Sequence, residues 1–504
     1  MNKKKIILTI VISGIAFGVN YLINLVLGSY VSSRIGTDAY GFVSLASTMA
    51  SFALIATSAL NSYATRYIAY EYHKKNYEKS KQYHNSVFWG DIGIGICLLI
   101  VGAGITCSAR ELFHIPDRLI FDVQILFLLV FINLFINVSG TALQAAAIIK
   151  DKVLISSVFK GISYICEAVV LILLFVGNSK HLFYVGIAYV VASLVTLASN
   201  VFLTTRYTPE LKIEFKSFRI DYVKELIVNG IWNSLNSLGN TLNSGLDQIV
   251  TNAMLGAISM GQVSLVKTLV NVFSGLYQMI AQPFQPNFLK NYAENDTKAL
   301  VDNLKFSMKI SGMLSNIAFA IVVSVGYIYY TLWVPTQDCD LLYRLTIIAV
   351  ATSIFEGPVY PLYYIYTLTV KNKIPCIITI VGGVLNILGM YLLIKYTKLG
   401  VYAIFITTAI IMLTINGISN PIYMSTCLKI PKATFYGVLA RHVVSCSVMT
   451  ILFCFVSKYF VITSWGGFIV SCAVLVFCGI IIHALIMFNK NEWKSLMKKL
   501  RGKA

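Results

Sequence analysis

Charge is scarce in this chain. Only 12% of its 504 residues are Asp, Glu, Lys or Arg, while 57% are hydrophobic; a soluble domain carries about a quarter charged residues. That excludes an ordinary soluble protein. Acidic residues are the rarer sign, 21 against 40 Lys and Arg. The ten cysteines are scattered, and Cys97, Cys166, Cys376, Cys446, Cys454, Cys472 and Cys478 fall inside apolar stretches. There is no C-x-x-C, and neither these nor the six dispersed histidines have zinc spacing. We expect no metal, no structural disulfide and no cofactor. G-x-x-x-x-G-K-[ST], H-E-x-x-H and G-x-S-x-G are missing, which excludes an intrinsic ATPase and the common hydrolases. Long loops are missing too. The largest, around "EYHKKNYEKSKQYHN" and "RYTPELKIEFKSFRIDYVKEL", are too short to fold as domains. No enzyme is expected.

What the chain has is apolar length. Mean hydropathy is +0.75. Apolar runs of spanning length lie near 8–33, 40–65, 86–108, 119–147, 153–176, 181–205, 226–254, 258–282, 306–333, 342–369, 374–395, 399–424, 438–462 and 465–488. They are too long for strands and lack period-two alternation. The sequence therefore predicts an all-α polytopic membrane protein of about 14 transmembrane helices. The Lys-rich start "MNKKKIILTIVISGIAFG" runs on to about Val31 and reads as an uncleaved first span. With the N-terminus inside, inner segments hold 30 Lys and Arg and outer segments 8. Such alternation follows the positive-inside rule. It places both termini in the cytoplasm and accounts for the net charge of +19 without nucleic acid.

Shifted by 220 positions, "NYLINLVLGSYVSSRIGTDAYGFVSLAST" overlies "NTLNSGLDQIVTNAMLGAISMGQVSLVKT" without a gap. Asn20/Asn240, Leu22/Leu242, Gly36/Gly256, Gly41/Gly261, Val43/Val263, Ser44/Ser264, Leu45/Leu265 and Thr48/Thr268 are identical. A duplicated hairpin gives this placement. It suggests two six-helix bundles, 1–224 and 225–424, with two appended helices and a basic cytoplasmic tail over 425–504. Parallel repeats of this kind put the substrate between the halves.

One polar row stands out. Asn229, Asn233, Asn236, Asn240, Asn243 and Asp247 recur at steps of four and three, one face of a helix. Amides facing lipid leave several kcal/mol of unmade hydrogen bonds. The row is expected to line a water-filled cavity, with interhelical bonding as the alternative. Amides both donate and accept, which suits sugar hydroxyls and N-acetyl groups. Ionisable residues inside spans are Asp91, Lys160, Glu167, Asp247, Lys267 and Glu356. Asp247 and Lys267 lie at equal distance from the turn near Ala257, and either pair with each other or serve an anionic headgroup. Lys160 and Glu167 share a face. Asp91 lies close to the cytoplasmic end and reads as interfacial. Glu356, beside Gly357, Pro358 and Pro361, marks a bend or a gate.

"DQIVTNAMLGAISMGQVSLVKT" resembles a recurring pattern of polysaccharide flippases: an Asp, an apolar stretch, Leu-Gly, then Gly-x-x-Ser. "LNSYATRYIAYE" resembles the same family's Arg-containing close to the second span. The chain thus resembles the Wzx-like oligosaccharide-lipid flippases of the multidrug/oligosaccharidyl-lipid/polysaccharide exporter superfamily. The resemblance implies two bundles around a central cavity, alternating access, and a place in a bacterial cytoplasmic membrane; a monomer is expected. It implies a polyprenyl-diphosphate-linked glycan as substrate. Membrane lipid, a glycan polymerase and glycosyltransferases are the partners expected. By motif position it carries over Arg66 and Asp247. Lys267 departs from the pattern, in which that position is more often small or apolar. Arg66, Lys160 and Lys267 are the expected anion contacts; Asp247, Glu356 and Glu167 are the expected sites of ion coupling or gating. A cation-driven drug antiporter of the same superfamily is the nearest alternative. A membrane-embedded glycan polymerase or ligase is a further one, and it would need the long outer loop that is missing.

Overall fold

A computed structural model describes residues 3–177, 180–369 and 371–488; the C-terminal basic tail lies outside them. The described residues contain helices, turns and no strand. In chain order the main helices are α1 (Lys3–Arg34), α2 (Thr37–Asn61), α3 (Ala64–His73), α4 (Tyr77–Cys107), α5 (Ile120–Ser139) and α6 (Val153–Val176). Next come α7 (Tyr184–Tyr207), α8 (Ile220–Ser244), α9 (Leu246–Leu255), α10 (Ala257–Ala281), α11 (Thr297–Trp333) and α12 (Cys339–Val350). The last are α13 (Ser353–Val359), α14 (Lys373–Tyr396), α15 (Tyr402–Thr414), α16 (Asn420–Cys427), α17 (Tyr436–Val456) and α18 (Trp465–Met487).

Eleven helical stretches among the described residues are long and apolar enough to cross a membrane. Three further long helices, α1, α8 and α10, lie where the sequence predicts spans. Local chemistry sets several starts. Asn76, Asp296, Asp338 and Ser464 each accept a bond from a first-turn N–H, at Lys79, Ala299, Leu341 and Gly467. Such caps satisfy donors that have no partner within the helix.

The helices sort into two compact units. One runs to Leu265 and takes in Thr379–Val401; the other comprises Val266–Ile378 and the chain from Tyr402 onward. In the first unit α1 packs on α6, α6 on α7, α7 on α5, α5 on α4, and α2 on α8. The repeated sequence has repeated geometry here. Gly36 and Gly256 both hold positive φ, at +143° and +86°, immediately before a helix. That region is open to glycine at no steric cost. Gly41 and Gly261 meet each other: a Cβ on Gly41 would lie 2.9 Å from the Gly261 nitrogen. The Arg118 guanidinium clasps Asp38 through two contacts of 2.6 Å and donates to the Ile35 carbonyl, tying down the α1–α2 turn.

In the second unit α11 packs against α12, α13, α17 and α18. Buried polar groups fix this packing. Asn316 donates to the His442 carbonyl at 3.1 Å, and His483 bonds through its two ring nitrogens to Ser445 and to the Lys309 carbonyl.

Candidate functional site

A polar cavity of about 610 Å³ opens within the first unit. That volume falls in the usual range for small-molecule sites. Each wall follows from helix period. On α1, Asn20 and Asn24 are four apart and face it together; on α5, Asn133 and Asn137 do the same. From α6 come Ser156, Lys160, Ser163, Tyr164 and Glu167, and from α7 Tyr189, Ser193, Thr196 and Asn200. The asparagine pairs are internally bonded. The Asn24 Nδ2 donates to the Asn20 carbonyl at 2.9 Å and to the Asn20 Oδ1 at 3.3 Å. The Asn137 Nδ2 donates to the matching atoms of Asn133 at 2.9 and 3.0 Å.

The cavity holds two opposite charges at different depths. Lys160 is exposed at its mouth. Glu167 is 4% exposed. Neither forms an ion pair among the described residues. In a site walled by amides and hydroxyls, an uncompensated ammonium offers a strong contact to an anionic oxygen. The amides around it can exchange both senses of hydrogen bond with a polyhydroxylated group.

The other residues singled out in the sequence lie elsewhere. The row on α8 and α9 divides. Asn229, Asn236 and Asn240 are exposed and Asn233 is half-buried; Asn229 donates to the Tyr67 hydroxyl at 2.9 Å. Asn243 is wholly buried. It donates to the Gly239 and Thr379 carbonyls, and Asn386 of α14 donates to its own carbonyl. At this position the amide serves as interhelical bonding. Helix α8 ends at Ser244, and Asp247 is buried at the start of α9. Arg66 is exposed on α3. Lys267 is half-buried on α10 and belongs to the second unit. Asp91 is wholly buried within the protein, and its Oδ1 accepts from Asn61 at 2.8 Å.

Glu356 lies in the second unit, half-buried, where the chain is broken into α13 and a 3₁₀ turn over Tyr360–Tyr363. Pro358 and Pro361 account for the break. Tyr277, Tyr360 and Tyr363 stand within electrostatic reach of its carboxyl. Tyr363 donates to Asn416 at 2.7 Å and Tyr366 to Asn420 at 2.8 Å. Asn416 sits in a π-helical stretch, Ile415–Ser419, a local widening often found at functional sites. Of the residues singled out, then, the cavity brings together only Lys160 and Glu167. The sequence reading missed the amides opposite them, although Asn-x-x-x-Asn at 20–24 and 133–137 carries the spacing that drew attention to the row on α8.

Comparisons with known proteins agree with this fold. A family model described as "Polysaccharide biosynthesis protein" matches residues 4–292. The chain belongs to that family. An uncharacterized membrane protein, EpsK of Bacillus subtilis (strain 168), is 22% identical over 488 residues, covering 96% of each chain. Among solved structures, the lipid II flippase MurJ in an inward closed conformation matches with a TM-score of 0.66 at 13% identity, over 94% of this chain and 98% of that one. An inward-facing multidrug resistance MATE family transporter of the MOP superfamily gives 0.67 at 15% identity, over 81% and 96%. The chain is a multi-pass membrane protein with the fold of these solved structures.

Proposed function

We propose that this member of the polysaccharide biosynthesis family is a flippase for polyprenyl-diphosphate-linked oligosaccharide repeat units. It would move them from the inner to the outer leaflet by alternating access, for surface polysaccharide biosynthesis in a bacterial cytoplasmic membrane. The observation that carries this reading is the amide-walled cavity with one uncompensated ammonium. A glycan needs dense, two-way hydrogen bonding; a diphosphate needs a cation; and the cavity supplies both in a chain that is otherwise apolar. Lys160 contacts the anion, with Arg66 and Lys267 as further cationic contacts. Exposed Asn229, Asn236 and Asn240, with Asn233, extend the hydrophilic surface along α8. Asp247, Glu356 and Glu167 are the carboxyls available for ion coupling.

The test is to deplete the protein in its native cell and read the leaflet of lipid-linked glycan with a membrane-impermeant probe. The expected result is accumulation on the inner face with loss of surface glycan. Lys160→Met should reproduce the defect, since a charge-assisted bond contributes about 1.5–3 kcal/mol, at least about tenfold in binding; Lys160→Arg should restore movement. Unchanged lipid-linked glycan on both faces would overturn the reading and favour cation-driven drug efflux.

A further inference from the structure

The stretch "SIFEGPVYP" in the second unit puts two prolines three residues apart in an otherwise helical run. In an α-helix each carbonyl takes the N–H of the residue four positions on. Proline has no N–H to give. Pro358 and Pro361 therefore leave the carbonyls of Ile354 and Gly357 without a donor from their own helix. Gly357 is buried, where an unpaired backbone acceptor is costly. Glu356 lies between the two carbonyls in the chain.

Neighbouring helices of the same unit bring donors to both. The Ser311 hydroxyl of α11 donates to the Gly357 carbonyl at 2.6 Å. The His442 ring of α17 lies within hydrogen-bonding reach of the Ile354 carbonyl. Its tautomer suits that contact. The Asn316 Nδ2, a donor, stands 3.2 Å from the His442 Nδ1, so Nδ1 accepts and the ring proton falls on Nε2. Gly312 makes room for the ring: a Cβ there would lie 2.5 Å from the His442 Nδ1 and 3.3 Å from the Pro358 Cβ. The two contacts are unequal, because the His442 Nε2 makes no aligned hydrogen bond. The Tyr277 hydroxyl and the Ser353 Oγ, which face each other, and the Asn316 Oδ1 are likewise buried without an aligned partner. Native interiors pair nearly all such atoms. Here four of them gather at the proline break, and partners unused in one arrangement are available to another.

We propose that the break is a hinge carrying Glu356, and that Ser311 and His442 are its positioning residues. They stand in for the two amide hydrogens that the prolines withhold. A bond made within one helix persists wherever that helix goes. Bonds borrowed from α11 and α17 depend on where those helices stand, so the Glu356 turn is held or released as they move. The hinge itself is independent of the molecule carried; its use in transport rests on the flippase reading.

The experiment is hydrogen exchange read by mass spectrometry on peptides covering 353–364, using the full chain in nanodiscs of phosphatidylethanolamine and phosphatidylglycerol. Ser311→Ala leaves a buried carbonyl unpaired, and exchange there should rise about tenfold while α5 is unchanged. Pro361→Ala returns to Gly357 the donor of its own helix. Adding Ser311→Ala to Pro361→Ala should therefore change exchange by less than about twofold, the signature of a shared partner. His442→Phe and Pro358→Ala form a second cycle with the same expected pattern. Native-like exchange in Ser311→Ala would overturn the proposal, whether or not the proline variants fold. So would an equal rise with and without Pro361. The chain carrying both Pro358→Ala and Pro361→Ala should exchange more slowly over 353–364 and, in place of the native chain, lose glycan movement. Normal glycan movement with slowed exchange would overturn the hinge's part in transport and leave the flippase reading intact. A native chain that moves no glycan but shows both cycles would instead sink the flippase reading and leave the hinge standing.

Discussion

The helix pair carrying the sequence repeat gives a sharp stability prediction. On Gly261 an added Cβ would run into the Thr37 carbonyl, lying 2.5 Å from its carbon and against its oxygen. Both are backbone atoms and cannot swing aside, so α2 and α10 must part by at least about half an ångström. Overpacking of this kind costs about 1–3 kcal/mol. Alanine has an opposing advantage of about 1 kcal/mol over glycine inside a helix. A second glycine isolates the clash: Gly93 of α4 has nothing within 4 Å of its would-be Cβ. Gly93→Ala should therefore be stabilising by about 1 kcal/mol. Gly261→Ala should be less stable than Gly93→Ala by about 1–3 kcal/mol, because the propensity gain is common to both. Gly41→Ala should fall between. Its first contact is the flexible end of Met260 at 2.8 Å, although the Gly261 nitrogen follows at 2.9 Å. The assay is equilibrium unfolding of the purified protein in mixed micelles, followed by tryptophan fluorescence. Equal stability of Gly261→Ala and Gly93→Ala would refute the close approach of the two repeats.

Three further outcomes are expected. Asn61→Leu should cost about 3 kcal/mol by removing the donor to the buried Asp91 carboxyl, whereas Asn61→Leu with Asp91→Leu should regain most of it; a double variant as unstable as the single one would refute a buried pair. Asn243→Ala should cost about 1–3 kcal/mol through lost bonds to the Gly239 and Thr379 carbonyls, while Asn236→Ala should change stability by under about 0.5 kcal/mol and lower glycan movement; equal stability effects would refute the division of the row. Outside the spans, the Lys81 ammonium, 2.7 Å away, holds the Glu214 carboxyl below its ordinary value. A depressed carboxyl contributes stability above its unfolded value of about 4.3, and that contribution fades as pH falls through the lower folded value. Hydrogen exchange of residues 208–219 should rise below about pH 4, and Lys81→Met should abolish the step; a loop indifferent to both would refute the contact.

The helices were legible because an apolar run of spanning length admits little else in lipid. Lys160 and Glu167 were legible as neighbours on one helix face because a seven-residue step fixes that whatever surrounds it. Other features depend on which helices meet. Nothing in the row on α8 says that α14 will lie against Asn243 and leave Asn236 open. Nor does the sequence say that Asn61, at the end of α2, will meet the buried Asp91 on α4. The π-helical stretch at Asn416 has no composition signal; it is a register slip against neighbours that the local sequence does not name.

Under the proposed function, the asparagine pairs bear on why a membrane cavity would be walled with amides. A cavity that loads and unloads must tolerate being empty. Isolated charges in a low-dielectric setting are costly when their partner leaves. Asn24 and Asn137 instead spend their own donors on Asn20 and Asn133. That leaves the Asn20 and Asn133 amide N–H groups and the Asn24 and Asn137 oxygens to face the cavity. Each pair is thus half-satisfied by helix geometry alone, and it presents one donor edge and one acceptor edge, the complement of a sugar hydroxyl. The same four-residue step recurs at Asn229 and Asn233 and at Asn236 and Asn240. Under the proposed function, such pairs would offer weak, similar contacts and no deep well, which suits a glycan that must pass through and leave. Under that proposal Lys160, the exposed cation among the cavity's lining residues, would select the molecules that enter, and the amides would conduct them.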